Sequence, residues 1–110
     1  MKVPVVWEGD SLGVFHSKEQ GDAALELVQL MSDISERCYS AKWLHGTEAI
    51  LWLALSAGPR KWGLASIDQQ DIDRLKRLSD QVQGWIKYTR DGARFVPMAQ
   101  WLAADKPTKG

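Results

Sequence analysis

Cys38, His45 and Glu48 come nearest to a reactive constellation in this chain: a thiol, an imidazole and a carboxylate, seven and three positions apart, a spacing that puts all three on one stripe of a helix. Such a set offers ligands of graded softness to a metal ion. Two helical turns, roughly 10 Å, would separate Cys38 from His45, and no Cys-x-x-Cys or His-x-x-x-His pair adds the further ligands that zinc takes. The expectation is therefore no metal and no cofactor, with Cys38 packed as a small hydrophobe and His45 and Glu48, one turn apart, matched as a buried polar pair. Nucleophilic catalysis would need a serine or cysteine beside an imidazole base. His16 adjoins Ser17, but Ser17 and Gln20 have the spacing of a helix cap and its reciprocal partner, which accounts for the serine. No Gly-x-Ser-x-Gly, Gly-x-x-x-x-Gly-Lys or Gly-x-Gly-x-x-Gly occurs. No catalytic residue is assigned, and a non-enzymatic protein is expected.

Binding chemistry has more to draw on. The chain holds 6 tryptophans, the side chain most favoured as an interface anchor. Trp43 and Trp52 fall on the most apolar stretch and read as core. Trp62 lies in a basic, Gly-flanked loop with Arg60 and Lys61, and Lys87, Arg90 and Arg94 follow on a hairpin. These six residues form the expected partner-binding surface. Basic groups interleaved with tryptophan also suit single-stranded nucleic acid, and this is the alternative reading. Asp91 at the hairpin tip and Asp71, Asp73 and Asp80 among the basic residues of the preceding helix dilute it.

The elements that must position these residues follow from periodicity. Val3 to Trp7 and Leu12 to Phe15 read as extended pieces around turn chemistry at Gly9-Asp10-Ser11. A first amphipathic helix runs from the Ser17 cap to Met31, and Ser32-Asp33, with Glu36 three places after Asp33, reads as an interruption. A second helix, about 34–57, carries apolar stripes on two sides and is expected to be central and buried, with Gly46 as a bend and Gly58-Pro59 as its end. Asp68 reads as the N-cap of a third helix, Ile67 and Ile72 as its hydrophobic staple and Gly84 as its stop. A hairpin over about 85–97 turns at Asp91-Gly92, which places Tyr88 opposite Phe95 and Thr89 opposite Arg94. Pro97 opens a short helical turn whose Trp101 and Leu102 dock on the core. The fold class is α+β, mainly helical, with three helices, a C-terminal hairpin and an N-terminal strand that extends it.

Composition narrows the setting. At 110 residues, 45% hydrophobic and 25% charged, the chain has the balance of one ordinary globular domain, read as 1–104 with 105–110 as a disordered tail. Its 14 basic residues equal its 14 acidic ones, so no whole-molecule field draws it onto nucleic acid or a membrane. No apolar run approaches the roughly 20 residues of a membrane span, the N-terminus lacks signal-peptide organisation, and the lone Cys38 cannot form an internal disulfide. A cytoplasmic location is expected.

The run Cys38-Tyr39-Ser40-Ala41-Lys42-Trp43-Leu44-His45-Gly46-Thr47-Glu48-Ala49-Ile50-Leu51-Trp52, with Gly84-Trp85 and Phe95-Val96-Pro97-Met98-Ala99-Gln100-Trp101-Leu102 downstream, resembles small uncharacterised bacterial and phage proteins. What the resemblance implies is a phage, prophage or other mobile-element setting, whose small proteins are often inhibitors such as anti-defence (anti-CRISPR) factors or immunity partners of toxins. The expected function is thus a small module that binds another protein. The alternative is a nucleic-acid-binding or regulatory protein, and a third reading is a small metal-dependent enzyme around His45 and Glu48.

Overall fold

Glu8 and Gly9 both take positive φ, 48° and 87°, the geometry of the two-residue turn that matches strand twist in a tight hairpin. They join β1 (Val3–Trp7) to β2 (Asp10–Phe15). The turn thus falls one residue earlier than the Gly9-Asp10-Ser11 expected, and Asp10 becomes a strand residue paired with Trp7. The register shifts between Val5 and Val6, so Val5, Trp7, Leu12 and Phe15 are buried while Val6 and Val14 remain exposed. The computed structural model describes residues 2–39, 46–62 and 65–103, with the side chains of residues 39, 60–62, 65 and 66 outside that description.

Ser17 caps the next helix as its spacing predicts, its hydroxyl accepting the Gln20 amide at 3.1 Å. This helix, α1 (Lys18–Tyr39), continues for 22 residues through Ser32-Asp33, against the expected break. Ala24, Leu27, Val28, Met31, Ile34 and Cys38 are all buried and stay in phase across that pair. Ser32 is itself buried, and Asp33 accepts a hydrogen bond from the Gln29 side chain one turn back, as a mid-helix residue does. The central buried helix is α1, not a helix over about 34–57. Gly46 is the reason: its φ of 80° puts it in the left-handed region just before α2 (Thr47–Ala57), so the expected bend is a terminus. On α2 only Thr47, Glu48, Leu51 and Ala54 are buried, whereas Ile50 and Leu53 are half-buried, so its second apolar side is only partly covered. The expected end is present: Gly58 takes a φ of 87° and its amide bonds the Ala54 carbonyl.

Arg60–Trp62 forms β3, paired antiparallel with β4 (Ala65–Ile67), where a loop was expected. Asp68 then caps α3 (Gln69–Val82) in a reciprocal box with Asp71, and Ile67 and Ile72, both buried, complete the staple. Arg37 of α1 also donates to the Asp71 carboxylate, so one acidic side chain serves the helix start and ties α3 to α1. Beyond Val82 the left-handed residue is Gln83, at φ 54°, not Gly84. Gly84 instead opens β5 (Gly84–Thr89), where the Phe95 ring occupies the space a Cβ would need.

β5 pairs antiparallel with β6 (Gly92–Pro97), which leads into α4 (Met98–Ala103). Thr89 pairs with Gly92, Lys87 with Arg94 and Ile86 with Phe95, so the turn is Arg90-Asp91 and the register is offset by two from the one expected. An offset of two preserves the faces: Tyr88 and Phe95 still share one side, and Thr89 and Arg94 the other. Gly92 carries the positive φ, 112°, and the Thr89 hydroxyl closes the turn by accepting the Asp91 amide at 3.2 Å. At the base of the hairpin Trp85 is fully buried, donating its indole N–H to the Glu48 carbonyl at 3.2 Å. Trp52 sits edge-on between Trp85 and Trp101, at 5.3 and 5.7 Å between ring centroids. Trp101 docks as expected, whereas Leu102 is exposed.

The described residues are therefore α+β, with four helices and three two-stranded antiparallel ribbons. The N-terminal strands form a ribbon of their own and do not extend the C-terminal hairpin. None of these helices is long and apolar enough to cross a membrane. The expected tail, 105–110, lies outside the described residues.

Candidate binding surface

Asp10 brings the two hairpin ends together. Its carboxylate accepts the Ala93 amide at 3.1 Å across 83 positions of sequence and lies over Gly92 where any Cβ would stand. Further along the same ribbons Phe15 meets Phe95 edge-to-face at 4.9 Å, which fixes their relative angle. Between the tips lies an open cleft of about 450 Å³ lined by Asp10, Ser11, Thr89, Asp91, Gly92 and Arg94, among others. Two of its lining side chains are held by hydrogen bonds, Asp10 by the Ala93 amide and Thr89 by the Asp91 amide.

Lys87 and Arg94 are directly opposite across the hairpin. Lys87 is half-buried, with its ammonium 5.9 Å from the centre of the Trp101 ring, within the range where the ring face attracts a cation. Arg94 and Arg90 are exposed, and Arg90 occupies the turn itself. Three of the six expected contact residues thus share one end of one hairpin. Arg60, Lys61 and Trp62 are on a separate ribbon and their side chains lie outside the described residues.

Replacing Asp10 by Ala removes the acceptor of the Ala93 amide, a charge-assisted contact worth about 1.5–3 kcal/mol. The expected result is a protein less stable by about that amount, with faster hydrogen exchange at Ala93, and a milder loss for Asp10→Asn. Unchanged exchange at Ala93 in Asp10→Ala would show that the tips are joined by other means.

The constellation set out first is divided between two elements. Cys38 is on α1 and Glu48 in the first turn of α2, so no common helical stripe carries them, and His45 lies outside the described residues, as does Trp43. Among the described residues no group of three His, Cys, Asp or Glu side chains could hold a metal ion. Burial pushes the Cys38 thiol up, with Asp71 adding to it and Arg37 opposing, which makes it less nucleophilic. Ser17 is committed to its cap, and His16 is exposed. Glu48 is buried at a helix start, where the dipole favours a carboxylate.

Asp10 is the residue sequence reasoning missed, because its position beside Gly9 reads only as turn chemistry. Comparison with protein-family models, with curated proteins and with solved structures finds no match for the chain.

Proposed function

We propose that the chain is a protein-binding module of the cytoplasm that acts by occlusion, as an inhibitor or immunity partner does, and that it engages its target through the joined tips of the two ribbons. The observation that carries this reading is the Asp10 link to Ala93, which joins the two ribbons beside their turns across 83 positions. Rigid turns lose little freedom on docking, so more of the contact energy appears as affinity. The arginines at positions 90 and 94 supply donors suited to charged interface contacts. The mobile-element setting implied by the sequence resemblance belongs to the same proposal.

Capture from a bacterial lysate tests it. Immobilised wild-type protein is expected to retain a discrete protein that the Arg90→Glu, Arg94→Glu double variant loses, while the variant melts no lower than wild type because both positions are exposed. An identical set of captured proteins would remove this surface from consideration.

A further inference from the structure

Lys87 and Arg94 face each other with like charge, an arrangement that costs stability in an antiparallel pair. Lys18 pairs with Asp22, Arg37 with Asp71 and Arg74 with Glu26, whereas Lys2, Lys76 and Arg77 make no ion pair among the described residues. Among the described residues no ion pair is made by Lys87, Arg90 or Arg94. From this opposition we infer that the hairpin receives an acidic side chain of an extended protein segment, its carboxylate held between Lys87 and Arg94 and the neighbouring residues lying in the cleft toward Asp10. The inference rests on the protein-binding reading and names the chemistry of the partner.

Directly opposed side chains start about 5 Å apart at Cβ, so the ammonium and the guanidinium both reach one carboxylate, the guanidinium through two parallel hydrogen bonds. The Trp101 ring already restrains Lys87, which lowers the ordering cost. Of the two cations only Arg94 lines the cleft, and beyond it the character changes: Asp10 and Asp91 line the cleft with Ser11 and Thr89. These groups accept hydrogen bonds from amides and hydroxyls and repel a continuous row of anions, so the fit is to an isolated acidic residue flanked by donors. A nucleic-acid strand fits poorly for the same reason and for a second one. The rings beside the cations, Trp85 and Trp101, are 0% and 4% exposed, so neither offers a face on which bases could stack.

Nitrogen-15 correlation spectra of the full chain test the inference, with three probes: a blocked peptide of alternating glutamate and serine, the corresponding lysine-serine peptide, and a short oligothymidylate. The glutamate peptide is expected to shift the amides of Lys87, Arg94 and the cleft, more strongly at low ionic strength, and the lysine peptide to leave them in place. Arg94→Gln should weaken the glutamate peptide about tenfold, the loss of one charge-assisted contact, and yet melt no lower than wild type because the opposed charges are relieved. Tighter binding of oligothymidylate at the same amides, glutamate-peptide shifts scattered over the protein, or equal affinity in Arg94→Gln would each overturn the acidic-segment assignment. If the lysate partner is still lost in the Arg90→Glu, Arg94→Glu variant while the glutamate peptide gives no response, the binding module stands and the acidic segment falls.

Discussion

Trp85→Ala is expected to lower the unfolding free energy by about 3–5 kcal/mol, the range for removing a large buried aromatic, a large fraction of what a domain this size has. The indole is fully buried, stacks edge-on with Trp52 and donates its N–H to the Glu48 carbonyl. It therefore fills the junction of α2 with β5, and truncation leaves a cavity between elements held by few other contacts. Trp85→Phe keeps most of the volume and loses the donor, while the Glu48 carbonyl keeps its bond within α2, so its cost should be about 0.5–1.5 kcal/mol, that of one neutral hydrogen bond. Urea denaturation followed by circular dichroism reads both. A loss of under about 1 kcal/mol for Trp85→Ala, well below the cavity range, would show that α2 does not depend on this ring.

The second large effect is expected at Gly84. An added methyl group would overlap the Phe95 ring and stand 2.6 Å from the Val96 carbonyl oxygen. The ring could rotate away, but the carbonyl belongs to the ladder of the hairpin and cannot. Gly84→Ala should therefore cost about 1–3 kcal/mol, as overpacking does. In a Phe95→Ala background the cost should shrink but persist, because one of the two obstacles is backbone; a double-mutant cycle measures the coupling. Full additivity would mean that the ring does not press on Gly84.

What the sequence made legible was local. The Ser17 and Asp68 caps, the Ile67 and Ile72 staple and the sidedness of Tyr88 and Phe95 each depend on residues within a few positions of one another, and each is present. The errors came where a local signal competed with a longer one. Asp33 and Glu36 have capping spacing, yet the apolar phase from Ala24 to Cys38 runs through them without a step, and burial of that continuous stripe outweighs a cap worth about 1 kcal/mol. Gly46 has the spacing of a bend inside a helix, and its left-handed backbone stands instead at the start of α2. In the hairpin, Asp-Gly has the composition of a central turn pair; with the Thr89 hydroxyl bracing Arg90-Asp91, Gly92 serves as the residue after the turn.

Of the candidate surface, the cationic half was legible because Lys87, Arg90 and Arg94 lie close in sequence. The other half was not. The partner of Asp10 is 83 positions away, and no local pattern distinguishes an aspartate that bridges two hairpins from one that ends a turn. The single stripe expected to carry Cys38 and Glu48 is absent because the two residues lie on different helices, α1 and α2.

The clasp between Asp10 and Ala93 also bears on how the chain folds. The ribbon of β1 and β2 precedes by 83 positions the amide that Asp10 accepts, so the Phe15 ring stays uncovered by Phe95 until the later hairpin reaches it. Pairings this distant slow folding by the loop they must close. Refolding should accordingly be limited by the meeting of these two ribbons, with α1 already formed.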